Sequence, residues 1–213
     1  VDFSEPEVLQ LALSDIPVVT IDYIFNDRLA VVSDNAKGME DLFTYIYQMG
    51  HRRIAYIHGT DSAVTTNRLS SFYRTAEKFG VEIPDEYVMM TRYRDTKGAG
   101  EATEKLLDLR RPPTCILYPD DFAALGGIHV IRERGMSIPE DISIAGYDGI
   151  RLAKLTVPNL TTLCQDTQHL GQYAAEKLID LIEKPKTAMR NITIVQGKLY
   201  EGQTVLKLDG SRG

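Results

Sequence analysis

Five short stretches of this 213-residue chain place polar side chains just past an apolar run. Asp34 and Asn35 follow one such run, Gly59 to Arg68 follow "RIAYIHG", and Tyr93 follows "EYVMM". Asp120 and Asp121 follow "TCILY", and Asp148 ends "DISIAGYD". Acids thus stand at three strand ends, with Arg68 near the start of a helix beside them. Carboxylates accept hydrogen bonds, and a guanidinium supplies a rigid fork of donors. Together they describe a polar, hydrogen-bonding crevice. No glycine-rich loop accompanies Asp34 and Asn35, so this pair offers acceptors and an amide where a nucleotide fold would hold phosphate.

Other chemistries find little support. The histidines, His51, His58, His129 and His169, form no pair at i,i+3 or i,i+4 of the kind a helical metal site uses. No G-x-S-x-G elbow, P-loop or G-x-G-x-x-G occurs. Asp120 and Asp121 are adjacent at a helix start and point different ways, so no enzymatic activity is expected, and no cofactor. Cys115 and Cys164 are far apart; Cys115 sits in an apolar run and is expected to be a buried small hydrophobe. This usage is compatible with a reducing compartment.

The elements that must position these residues alternate. "IPVVTID" (16–22) is an apolar, β-branched run suited to a sheet buried on both faces. Met39, Leu42, Phe43, Ile46 and Tyr47 form a helical stripe ended by Gly50. A strand over 53–59 follows, then a second stripe of Leu69, Phe72, Tyr73, Ala76 and Phe79. A strand near 86–90, a helix over 99–109 and a strand over 114–118 continue the pattern. A helix over 121–134, a strand over 141–148 and a long helix over 168–183 with Leu170, Tyr173, Ala174, Leu178 and Leu181 inward complete it, before two extended stretches. Such alternation predicts a doubly wound α/β protein, whose ligands sit beyond the carboxyl ends of the strands.

A net charge of −6 and a pI near 5.3 argue against this chain gripping nucleic acid by itself. His51, Arg52 and Arg53 form a local basic cluster, expected to be a solvated helix-to-strand corner. No apolar run approaches the roughly 18 residues of a membrane span, and no signal-peptide pattern opens the chain. Residue 1 is a valine, so the natural start is expected upstream.

"VVSDNAKG", "GHRRIAYIHG", "NRLSSF", "PDDFAALGGIHVIRERGMSIPEDISIAGYDG" and "VPNLTTL" together resemble the effector-binding domain of the LacI/GalR family of bacterial transcription regulators. The resemblance implies a periplasmic-binding-protein type I-like fold of two Rossmann-like lobes with parallel sheets. Residues 1–58 and 164–194 would form the N-terminal lobe, and 59–163 with 195–208 the C-terminal lobe. Residues 209–213 would be a flexible tail. The chain crossings would fall near Gly59, near Leu163–Gln165 and near Val195–Gly197. Measured against the family, the helix-turn-helix, the hinge helix and about the first strand–helix–strand of the N-terminal lobe are absent from these residues. Function would be sensing of a small polar effector, a sugar or derivative, in the interlobe cleft of a cytoplasmic, homodimeric DNA-binding regulator. The helix after Asp120 and "IRLAKLTVP" (150–158) would supply dimer contacts. The rival reading is a secreted sugar-binding protein of a transporter; a third is an enzyme of sugar metabolism on the same fold.

Sugars are recognised by planar polar side chains, with an aromatic face on the C–H side of the ring. The resemblance implies ligand contacts from Asp148, Arg68 and Tyr93. It also implies contacts from Asp34, which matches a cleft residue of the periplasmic relatives, and from Gln165 at the second crossing. Asp120 stands where the family more often has asparagine. All but Gln165 have a plainer alternative: a strand-end turn for Asp148, a surface ion pair for Arg68, a helix cap for Asp120 and Asp34, an exposed strand edge for Tyr93. Phe122 and Ser62 are further wall candidates. Ser71 replaces the usual glycine of "R-x-x-G-F", with consequences for helix packing.

Overall fold

The computed structural model describes residues 10, 14–24, 29–185 and 191–209. The tail expected at 209–213 lies, apart from Asp209, outside them. The chain divides into two units, Val1–Asp34 with Asp166–Gln196, and Asn35–Gln165 with Gly197–Gly213.

In the first unit, β1 (Thr20–Ile21), β2 (Ala30–Ser33) and β8 (Ile192–Val195) form a parallel sheet in the order β1-β2-β8. Helix α5 (Thr167–Glu183) packs Leu170 and Ala174 on Val31 and Val195. Asp166 caps its first turn, accepting from the His169 amide. Tyr173, expected inward, is exposed.

The second unit is built on six strands in the order β4-β3-β5-β6-β7-β9. These are β3 (Ile54–His58), β4 (Val88–Met90), β5 (Cys115–Leu117), β6 (Ser143–Asp148), β7 (Thr161–Cys164) and β9 (Lys198–Tyr200). All pair in parallel except β9, which lies antiparallel on β7. The central strands are apolar on both faces. From β3, Ile54 and Tyr56 face one layer with Cys115, Leu117, Ala145 and Tyr147. Ala55 and Ile57 face the other with Ile116, Tyr118 and Ile144. This period-two division forces helices onto both sides. Helices α1 (Asn35–Gln48) and α2 (Ala63–Lys78) cover the first face. Helices α3 (Thr96–Leu107) and α4 (Asp121–Glu133) cover the second.

The first boundary therefore differs from the one expected. Helix α1 buries Met39, Leu42, Phe43 and Ile46 in the same cluster as Ile54, Tyr56, Leu117 and Leu163. It belongs, with β3, to the second unit, and the chain passes between units at Asp34/Asn35 instead of near Gly59. Ser71 shows why glycine is dispensable at its position: its hydroxyl donates to the Ala36 carbonyl at 2.6 Å, tying α2 to the start of α1. Tyr73, predicted on the buried stripe of α2, is exposed.

The basic corner is also differently built. His51 is 1% exposed, with Nε2 donating to the Leu206 carbonyl at 3.0 Å and Nδ1 facing the Thr114 hydroxyl at 2.9 Å. It fastens the C-terminal segment to the amino edge of the sheet. Burial, foremost, pulls its pKa down to about 4, so the ring is neutral at pH 7.

Candidate functional site

Within the second unit, Arg68, Asp148 and Gln165 meet at the carboxyl ends of the strands. Arg68 lies in α2 and is only 2% exposed. Its Nε donates to Asn35 Oδ1 at 2.8 Å and one terminal nitrogen donates to the Pro119 carbonyl at 2.9 Å. Its guanidinium carbon stands 3.5 Å from the centre of the Tyr147 ring. Stacking and two neutral acceptors thus fix the plane of a buried cation. The other terminal nitrogen lies 3.9 Å from Asp148 Oδ1, an ion-pair distance too long for a hydrogen bond.

Asp148 ends β6 with a φ of +101°, a region that favours glycine, and Gly149 follows at +72°. Such backbone strain, on the order of 1–3 kcal/mol, gathers at functional sites. Gln165 Nε2 donates to Asp148 Oδ1, and the Gln165 amide donates to the Asp148 carbonyl at 3.1 Å. Oδ2 of Asp148 accepts from no described residue. Burial raises the Asp148 pKa, opposed by the Arg68 charge and the Gln165 hydrogen bond. The group is a strained, partly desolvated acid with one oxygen open.

Asp121, not predicted as a site residue, braces this loop. It is 0% exposed and accepts from the Thr162 hydroxyl at 2.6 Å and the Ile150 amide at 2.8 Å. Its pKa is pushed up to about 7, by burial first and by Asp148 among the lesser causes. Gly146 makes room for it, since a Cβ there would stand 2.3 Å from Asp121 Oδ1. Asp120 and Asp121 do diverge, each toward its own partners.

Asp120, 1% exposed, has both oxygens engaged. One accepts from the Ala123 amide, capping α4, and the other from the Arg94 amide at 2.8 Å. This is the capping alternative. Tyr93 is half-buried, its ring so close to Gly59 that a Cβ there would meet it at 2.2 Å. Its hydroxyl pairs with Thr65 Oγ1 at 2.9 Å. Ser62 caps α2 and Phe122 is exposed. Asp34 belongs to the first unit, where its amide donates to the Val195 carbonyl at 2.9 Å.

Two residues besides Asp121 take roles that the sequence did not disclose. Asn35 holds Arg68 in place, and its position beside Asp34 was the available signal. Tyr56 is fully buried, and its hydroxyl finds no hydrogen-bond partner among the described residues. Among the described residues no group of three or more His, Cys, Asp or Glu side chains is disposed to hold a metal ion.

This layout, a doubly wound unit with a polar site at its strand ends, coincides with the family comparisons. Residues 43–205 match the model of the periplasmic binding protein-like domain. The chain belongs to that family. Within it, the kinship is with LacI-type regulators. The HTH-type transcriptional repressor CytR of Escherichia coli (strain K12) is 31% identical over 151 residues, 70% of this chain and 44% of that protein. The ribose operon repressor of Haemophilus influenzae is 29% identical over 189 residues, 87% of this chain and 56% of its relative. The chain spans about half the length of these curated relatives. The crystal structure of a transcriptional regulator LacI from Bacillus cereus subsp. cytotoxis superposes with a TM-score of 0.88 at 27% identity, covering 95% of this chain and 73% of that one.

Proposed function

We propose that this chain is the effector-sensing domain of a LacI-type transcriptional regulator. A small polyhydroxylated metabolite, a sugar or sugar derivative, binds at the strand-end rim of the second unit. One observation carries the reading. Arg68 is immobilised on Tyr147, Asn35 and Pro119 with one edge turned to Asp148, whose backbone is strained and whose Oδ2 is open. A pair of ligand hydroxyls satisfies that edge and that oxygen together, the arginine donating and the carboxylate accepting. Gln165 orients Asp148, and Tyr93 offers a ring face. Asp120 shapes the wall.

The kinship with repressors supports a regulator over a secreted solute-binding protein, and we assign the site no catalytic step. No helix among the described residues is long and apolar enough to cross a membrane, which suits a cytoplasmic protein. The regulator would act as a homodimer, reading DNA through an upstream helix-turn-helix. The ligand alters operator affinity only by as much as it distinguishes the two binding states.

The test is thermal unfolding of the full-length protein against a panel of sugars and sugar derivatives. A member present at about 100 times its dissociation constant adds roughly 2.7 kcal/mol, a shift of a few degrees. That ligand is then expected to change operator affinity. A panel with no stabilising member refutes the reading.

A further inference from the structure

At the opposite, amino-terminal end of the same sheet lies a pocket of about 300 Å³, within the second unit. Arg52 and Arg53 reach it from the entry to β3, Val81, Glu82 and Tyr87 from the segment after α2, and Arg111 from the segment before β5. Val81 and Tyr87 are buried and make an apolar floor. The arginines stand around it.

The guanidiniums of Arg52 and Arg53 are positioned without being neutralised. Arg52 donates to the carbonyls of Tyr47 and His51, both at 2.9 Å, and stacks 3.7 Å from the Tyr47 ring centre. Arg53 Nε donates to the Pro112 carbonyl at 3.1 Å. Arg111 holds the floor through its backbone, its carbonyl accepting from the Tyr87 hydroxyl at 2.6 Å. No carboxylate of a described residue pairs with any of the three, and the Arg111 side chain has no partner among them. Burial raises the Tyr87 pKa and Glu86 adds to the rise, while Arg53 and Arg111 lower it, so both cations reach the hydroxyl at the pocket floor.

Three cations around a concave, part-apolar floor, Arg52 and Arg53 held by hydrogen bonds and Arg111 exposed, are a local reversal of sign in a chain of net charge −6. The volume is at the lower end of the range for small-molecule sites, and guanidinium forks match phosphate oxygens in pairs. Glu82 on the rim would accept from a hydroxyl.

We propose that this pocket binds a small phosphomonoester, its phosphate held by Arg52, Arg53 and Arg111. The site is separate from the one at Arg68 and Asp148 and does not rest on the function proposed for it.

Calorimetric titration of the full-length protein at physiological ionic strength tests this, with glucose 6-phosphate, inorganic phosphate and glucose as probes. Saturable binding of both phosphates is expected, weakened at least about tenfold by Arg111→Gln and further by Arg52→Gln/Arg111→Gln. Arg111→Lys, which keeps the charge but loses the fork, is expected to fall between. Asp148→Asn should leave the affinity for inorganic phosphate within about twofold. Absence of saturable phosphate binding overturns the proposal. So does an affinity unchanged in the double variant, or one strengthened several-fold by Asp148→Asn, which would place phosphate beside that carboxylate at the other end of the sheet.

Discussion

His51 gives the most quantitative test of how this fold is held together. It is 1% exposed, its two ring nitrogens face Leu206 O and Thr114 Oγ1, and Arg52 and Arg53 stand beside it. With a pKa of about 4 in the folded chain against 6.5 in the unfolded one, protonation favours unfolding. The stability of the neutral ring is fully present above pH 6.5 and is lost as pH falls toward 4. At about 1.4 kcal/mol per pKa unit, the loss is roughly 2 kcal/mol by pH 5 and roughly 3 by pH 4. His51→Gln keeps a donor for Leu206 but gives up the Thr114 contact, costing about 1 kcal/mol near pH 7.5. The two proteins should therefore cross in stability between about pH 5 and 6, the variant being the more stable below. Urea unfolding of both from pH 4 to 7.5 supplies the difference curve, and a carbon-13 titration of the ring supplies the pKa directly. A ring that titrates near 6.5, or a difference flat with pH, would refute the reasoning.

Asp121 has the opposite sign. Its pKa of about 7 lies above the unfolded value of 3.8, so its contribution is lost as pH rises from about 4 to 7, on the order of 4 kcal/mol in all. Asp121→Asn should remove that dependence in the same unfolding series. Tyr56→Phe, which deletes a buried hydroxyl without a partner, should raise the melting midpoint, by about 1 kcal/mol or more in stability; a lowered midpoint would show an unseen partner. Asn35→Ala leaves the buried Nε of Arg68 without its acceptor and should cost about 2 kcal/mol in denaturant unfolding, with weaker ligand binding.

The sequence disclosed the alternation because every central strand is apolar on both faces, as "IAYIH" of β3 shows. It did not disclose which sheet a strand joins. The stripe of α1 was plain, but a stripe reports a buried face and not the partner it is buried against, so the first boundary was set a helix and a strand too late. In the site, Arg68 and Asp148 were legible as polar residues at a helix start and a strand end. Gln165 came only through the family resemblance. Asn35 and Asp121 were legible as polar residues past strand ends but their partners were not, and Tyr56 was not legible at all, because these roles depend on contacts between segments far apart in sequence. The capping of α4 by Asp120 was readable locally, from an aspartate just ahead of a helix.

The central claim, that Arg68 and Asp148 hold a polar ligand, is tested most directly by calorimetric titration of the stabilising sugar into the native protein and Asp148→Asn. Asparagine tolerates the positive φ and preserves shape while removing the charge. Loss of a charge-assisted hydrogen bond predicts at least about tenfold weaker binding with folding intact. An affinity within twofold of the native protein would contradict the assignment.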